Sequence, residues 1–238
     1  MFLARHCART LSLNADDVWN AWFAAIAIYF CAGFLVRVFS AFLSHNSSAA
    51  ELNIPVELVP MWCIALLCAA GYLRARRAPL LSALAASSPA FALLAACLSF
   101  GDFASGKNFG LPTSLPWGVV FHSQRAVRMY GTRLNLPLHP VQLYACIASL
   151  LICAALLCLI SQRKQAGEIF GAWLFLTGMA MFVTEFFRFV SYMDWTRWLP
   201  IAGWFPLIDL RQVIALLMIA LGGAFWLQRP SKEKTHAL

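Results

Sequence analysis

Apolar residues run in six long blocks along the chain, at about 18–43, 54–73, 79–100, 140–161, 168–190 and 206–227. Each approaches or exceeds the roughly 20 residues that carry an α-helix across the core of a bilayer. Within a block the apolar positions are continuous. The short alternating segments of a lipid-facing β-barrel are absent, which leaves helices, whose backbone hydrogen bonds close within one segment, as the way to cross lipid. The pattern predicts an all-α polytopic membrane protein of about six transmembrane helices. A long segment, 101–139, rich in glycine, proline and aromatic residues, separates helices three and four, and a shorter one, 191–205, separates the last two. With no repeat and no long linker, a single domain over 1–238 is the simplest organisation.

Lysine and arginine orient this arrangement. Arg74, Arg76 and Arg77 follow the second block, Arg163 and Lys164 the fourth, and Arg229, Lys232 and Lys234 the sixth. Threading six helices alternately puts all of these on one side together with Arg5 and Arg9. The bias of basic residues toward the cytoplasm then predicts cytoplasmic termini, with 1–17 and 228–238 as cytoplasmic segments and 101–139 and 191–205 outside. The stretch before Asp16 and Asp17 lacks the apolar core of a cleavable signal peptide, so the first helix is expected to serve as an uncleaved signal.

Composition agrees. Of 238 residues, 61% are apolar and 12% charged, with a formal charge of +8, whereas an average soluble domain is roughly 25% charged. In this setting the positive charge fits topology and attraction to anionic lipid, and no nucleic acid partner is expected. Cys31, Cys63, Cys68, Cys97, Cys146, Cys153 and Cys158 fall inside the blocks at no metal-ligand spacing. They suit packing; no metal and no cofactor are expected.

Ionisable residues inside a membrane are costly, on the order of 2.5–3.5 kcal/mol at a helix centre, so each needs a partner or a task. Here they are Arg37, Glu57, Glu185, Arg188, Asp209 and Arg211, and most are expected near the outer interface with Asp102 and His139. Glu185 and Arg188 are three apart and can meet on one helix face. Structural ion pairs would satisfy such residues one by one; their clustering on one side favours a shared polar cavity. At the head of the fourth block stands Leu138-His139-Pro140-Val141-Gln142-Leu143-Tyr144. Pro140 suits a first helical turn and puts His139 in the N-cap region. Gln142 and Tyr144 then enter lipid within the first turns, where an amide and a phenol must find partners or water.

This heptapeptide resembles the His-Pro-Ser-Gln-Leu-Tyr stretch of the bacterial prolipoprotein diacylglyceryl transferases, and other segments follow that family in order. GDFASGKNFGLPTSLPWGVVF (101–121) resembles its Gly-Asn-Phe-x-Asn-Gly-Glu-x-x-Gly-x-Pro-Thr-x-x-Pro-Trp-Gly-Val-x-Phe segment. FVTEFFRF (182–189) is similar to its Val-Glu-Phe-Phe-Arg stretch, 210–226 to a closing helix that begins Gly-Gln, and 16–39 to a helix ending in Gly-Ala-Arg. The likeness runs over most of the chain from Asp16 onward.

The resemblance implies a multi-pass inner-membrane enzyme. Such an enzyme moves a diacylglyceryl group from phosphatidylglycerol to the thiol of a lipobox cysteine in an exported preprotein, a step of lipoprotein biosynthesis. A thiolate must form and attack a glycerol carbon while glycerol phosphate leaves, so a base near the thiol and cations near the phosphate are required. His139 is the candidate base and Arg188, positioned by Glu185, a candidate phosphate ligand with Arg37. Asp102, Gly106, Gly110, Gln142 and Tyr144 complete the expected substrate-binding set, and the partners implied are phosphatidylglycerol and a preprotein signal peptide. Several family positions are changed: no His-Gly-Gly precedes 79–100, an Arg falls on Ser99, an Asn on Asp102, a Glu on Lys107, and a Tyr-x-x-x-Arg pair on Thr177 and Met181. A non-catalytic or differently catalytic relative that binds phospholipid or a membrane peptide is therefore the alternative. A transporter would be expected to show paired half-helices and an inverted repeat, and neither is found.

Overall fold

A computed structural model of the protein describes residues 2–44, 66–189 and 210–227. The chain is mostly helical. In order the elements are α1 (Phe2–Thr10), α2 (Ala15–Ser44), α3 (Leu66–Ala75), α4 (Leu80–Ser105), β1 (Val119–Val120), α5 (Gln124–Tyr130), β2 (Pro137–Leu138), α6 (Val141–Ser161), α7 (Ala166–Glu185) and α8 (Leu210–Leu227). Among the described residues α4, α6 and α7 are long and apolar enough to cross a membrane, and α3 and α8 are shorter apolar helices. Their exposed faces carry large apolar side chains, among them Leu94, Leu98, Leu151, Phe175, Leu217 and Leu221. Such faces suit lipid and would be a liability in water. The expected outer segment 191–205, the tail 228–238, Glu57 and Asp209 lie outside the described residues.

The chain forms two compact units, 1–87 and 88–238. In the first, α1 is an element the apolar blocks do not reveal, because nine residues with Arg5, His6 and Arg9 form no apolar run. It folds back on α2 through buried Ala4, Cys7 and Ala8. Asn14 caps α2 by accepting from the Asp16 N–H at 3.1 Å, and Asp16 and Asp17 in the first turn complement the positive end of the helix. Asp17 also accepts from Arg76 Nε at 2.9 Å. That hydrogen bond and the carboxylate charge push the Arg76 guanidinium above its ordinary value. Trp22 reaches Ser87 Oγ at 2.8 Å.

In the second unit α7 and α8 pack backbone to backbone through glycines. A Cβ on Gly222 would come within 2.6 Å of the Gly171 carbonyl and the Phe175 nitrogen, and one on Gly178 within 2.8 Å of the Ala215 carbonyl. Small residues at such a seam allow the close approach that drives helix association in lipid. Cys153 on α6 donates to the carbonyl of Pro89 in α4 at 3.3 Å, and Leu156 and Ile169 are fully buried.

Segment 106–140 is a folded structure. Gly106 ends α4: its φ is +76°, the Lys107 N–H returns to the Asp102 carbonyl at 2.9 Å, and its own carbonyl accepts from buried Thr132 at 2.8 Å. A left-handed residue followed by a hydrogen bond back to the last turn is a common helix stop, and glycine adopts it without steric cost. Residues 109–113 then run extended between two partners. On one side Leu111 donates to the Phe187 carbonyl at 2.8 Å and Phe189 to the Phe109 carbonyl at 3.0 Å; on the other His139 donates to the Leu111 carbonyl at 2.9 Å and Thr113 to the Pro137 carbonyl at 3.0 Å. β1 pairs antiparallel with β2, Val119 opposite Leu138. The motifs around Gly110, His139 and Arg188, far apart in sequence, thus form one small ladder.

The ladder also alters two expected boundaries. The apolar block suggests that the helix holding Glu185 continues to 190, but α7 stops at Glu185. The N–H groups of Phe187 and Arg188 close tight turns back to Thr184 and Glu185, and the Phe187 carbonyl and the Phe189 N–H then pair with Leu111 and Phe109. Pro140, expected inside the first turn of the next helix, instead occupies the N-cap position of α6 and offers no side-chain cap. His139 is consequently a ladder residue, and its imidazole turns to Tyr144.

Candidate functional site

The polar ends of four helices meet in the second unit. The last two turns of α4 bring Ser99 and Asp102, the first turn of α6 Gln142, the C-terminal half of α7 Thr177, Met181, Thr184 and Glu185, and the first turn of α8 Arg211. With Arg188 and Asn108 from the ladder segments they line a cavity of about 290 Å³. Apolar side chains, among them Val141 and Ile152, form the rest of its wall.

Glu185 and Arg188 meet as expected. Arg188 Nε and Nη2 both lie 2.6 Å from Glu185 Oε1, and both side chains are nearly inaccessible to solvent. Two buried opposite charges at this spacing offset part of each other's desolvation cost, and the contact holds the guanidinium at the cavity wall. Gln142 is buried and donates from Nε2 to the Lys107 carbonyl at 2.7 Å. Asp102 accepts from Asn108 Nδ2 at 2.7 Å through Oδ2.

His139 and Tyr144 are in a different place. His139 Nδ1 lies 3.3 Å from the Tyr144 oxygen, which also accepts from Trp117 Nε1 at 2.8 Å. The Phe187 ring closes this aromatic cluster, with its centroid 5.2 Å from the imidazole and 6.2 Å from the phenol. The divergence has a local cause. Phe187 and Arg188 stand in the turn that follows α7, and from there Phe187 goes to the cluster while Arg188 goes to the cavity. Gln142 differs from His139 because it stands in the first turn of a helix and His139 stands on the ladder.

Of the expected substrate-binding residues, Asp102 and Gln142 line the cavity. Gly106 and Gly110 act through backbone geometry: a Cβ on Gly110 would collide with the His139 carbonyl oxygen and come within 2.7 Å of Val141 Cγ2. Arg37 is in α2 of the first unit, and its side chain lies outside the described residues. No group of three or more His, Cys, Asp or Glu that could hold a metal occurs among the described residues. Sequence reasoning did not select Arg211, Ser99, Thr177 or Met181 as site residues. The signal for the last two was available, since Thr177, Met181, Thr184 and Glu185 recur at helical spacing on one face.

The family model of prolipoprotein diacylglyceryl transferase matches residues 62–228, more than half of the chain. Curated relatives carry the name phosphatidylglycerol–prolipoprotein diacylglyceryl transferase. The one from Nitratidesulfovibrio vulgaris is 31% identical over 139 residues, covering 56% of this chain and 45% of its own. That from Cereibacter sphaeroides is 31% identical over 158 residues, 63% of this chain and 53% of its own. That from Ruegeria pomeroyi is 33% identical over 129 residues, 51% and 44%. The chain spans about half the length of these relatives. The ladder that joins 109–113, 137–139 and 187–189, and the cavity it borders, fall within the matched residues, and the chain belongs to the prolipoprotein diacylglyceryl transferase family.

Proposed function

We propose that this protein is a diacylglyceryl transferase-like enzyme of the bacterial inner membrane that takes its lipid from phosphatidylglycerol and delivers it to a lipobox cysteine thiol. The observation that carries this is the cavity in which Asp102, Gln142 and the Glu185–Arg188 pair converge among apolar walls, in a chain of that family. In the reaction the thiol loses its proton to a base, and its sulfur forms a bond to the glycerol carbon of the diacylglyceryl group. The bond from that carbon to the phosphate oxygen breaks, and glycerol phosphate leaves with the electron pair. Arg188, prepositioned by Glu185, stabilises the charge that builds on the phosphate. The proton goes to His139 if the acceptor enters from the aromatic cluster. It goes to Asp102, the carboxylate of the cavity outside the ion pair, if the acceptor enters from the cavity. The proposal includes one domain of six transmembrane helices, cytoplasmic termini, and 101–139 and 191–205 outside.

A second function is favoured by one observation. Ser99, Thr177 and Met181, where the family motif has Arg and a Tyr-x-x-x-Arg pair, line this same cavity. A relative that binds phospholipid without transferring it would have such a wall. Full-length protein in phosphatidylglycerol vesicles, supplied with a lipobox peptide, separates the two. The peptide gains the mass of a diacylglyceryl group under the first function. Folded protein that binds the lipid and leaves the peptide unmodified establishes the second.

A further inference from the structure

Two of the cavity's polar groups are committed to each other, and three others have capacity left. Glu185 and Arg188 form a buried ion pair. Gln142 is 3% exposed, and its amide has one possible orientation, because only the NH2 can face the Lys107 carbonyl at 2.7 Å. Its carbonyl oxygen is therefore the atom left over, buried and with no hydrogen-bond partner among the described residues. Asp102 uses Oδ2 for Asn108. Arg211 lines the cavity half-buried and takes part in no salt bridge among the described residues. A buried acceptor without a donor is rare in folded proteins unless a water or ligand supplies one.

Resting on the phospholipid function proposed above, we infer that Arg211, Asp102 and Gln142 read the polar head of the lipid. Arg211 holds the phosphate, and the oxygens of Asp102 and Gln142 accept hydrogen bonds from donors on the group that the phosphate carries. Among the described residues the cavity offers Arg211, a cation outside any salt bridge, beside the Gln142 oxygen, which has no donor, and the second carboxylate oxygen of Asp102. A phosphate ester with a hydroxyl or ammonium within reach fits both. A choline or simple alkyl head satisfies Arg211 alone and leaves the Gln142 oxygen bare. Arg188 stabilises the phosphate as it leaves; the rule added here concerns the group that the phosphate carries.

Calorimetric titration of short-chain lipids into the purified full-length protein in detergent tests it. Phosphatidylglycerol and phosphatidylpropanol have the same charge and differ in the head-group hydroxyls. The expected result is at least about tenfold weaker binding of the propanol lipid, the loss that follows from leaving one buried acceptor unmet. Phosphatidylcholine should also be weak and phosphatidylethanolamine should bind. Gln142→Met should shrink the glycerol-to-propanol ratio, and Arg211→Gln should weaken both lipids together. Equal binding of phosphatidylglycerol and phosphatidylpropanol by the unaltered protein overturns the inference and leaves the phospholipid function standing. Failure of every lipid to bind overturns that function itself. The lipid pair decides even where Gln142→Met does not fold. Glycerol phosphate titrated against propyl phosphate shows whether a free ester obeys the same rule: a response assigns the chemistry to either source, and silence assigns it to the lipid.

Discussion

Gly110 and Arg188 are partners across an antiparallel bridge, and the glycine has no room for a side chain because the His139 backbone lies against its other side. Arg188 therefore reaches the cavity from a backbone position set by a glycine 78 residues earlier in the chain. Gly110→Ala must separate the two sides of the ladder. A destabilisation of about 1–3 kcal/mol, the usual range for overpacking, is expected as a lower melting temperature in detergent. Gly223→Ala is the control, since a Cβ there meets nothing within 4 Å. Equal loss in both variants would show that glycine content, and not the Gly110 contact, governs stability.

The Glu185–Arg188 pair gives a second prediction. Removing one member of a buried pair leaves an unmatched charge and commonly costs about 3–5 kcal/mol, less where water reaches it. Arg188→Met should therefore reduce the yield of folded protein markedly. The double variant Glu185→Gln, Arg188→Met should recover much of that loss, because no charge is left unmatched. Denaturant unfolding of the parent, the single variants Arg188→Met and Glu185→Gln and the double variant measures the coupling, and strictly additive losses would mean that the pair is not a unit.

These residues show what could be seen in the sequence and what could not. The helices α4, α6 and α7 follow directly from apolar blocks, since a bilayer-length run of apolar side chains has few other solutions. Arg188 and Glu185 meeting was legible from their spacing. That the meeting occurs past the end of the helix was not, because α7 stops where an extended segment 76–80 residues upstream competes for the backbone that follows it. The same nonlocal pairing separated His139 from Gln142, which a local motif presents as neighbours. Gly110 and Gly106 were legible as residues but not in role, since close approach and a left-handed turn depend on partners distant in the chain. α1 was missed because it is held by contact with α2 and has no apolar run of its own.

Orientation yields a third prediction. Arg163 and Lys164 are exposed in the turn between α6 and α7, and α5 is exposed beyond the other end of α6. A helix that crosses the bilayer puts these two ends on opposite sides, and the basic turn is expected in the cytoplasm. In a cysteine-free background, Gln124→Cys should react with an impermeant thiol reagent in spheroplasts, and Gln165→Cys only after lysis. Among the described residues neither side chain makes a hydrogen bond that the substitution would remove. The reverse pattern of labelling would invert the proposed topology.

The last prediction concerns His139. Because Pro140 holds the N-cap position, the imidazole has two remaining roles: a base, or a ring packed against Phe187 and bonded to Tyr144. His139→Phe keeps a ring and removes the titratable nitrogens, while His139→Asn keeps polarity and removes the ring. If His139 takes the thiol proton, both variants should fold, bind phosphatidylglycerol and lose about 10²- to 10⁴-fold in transfer rate, the range that general bases contribute. Tyr144→Phe should then alter the pH profile of transfer, because it removes the oxygen that lies against Nδ1, while keeping its ring beside Phe187. A His139→Phe protein with full transfer would make the residue a packing element. In that case the proton must go to the cavity side, and Asp102→Asn, which retains the size of the carboxylate and an acceptor for Asn108, should abolish transfer without loss of fold.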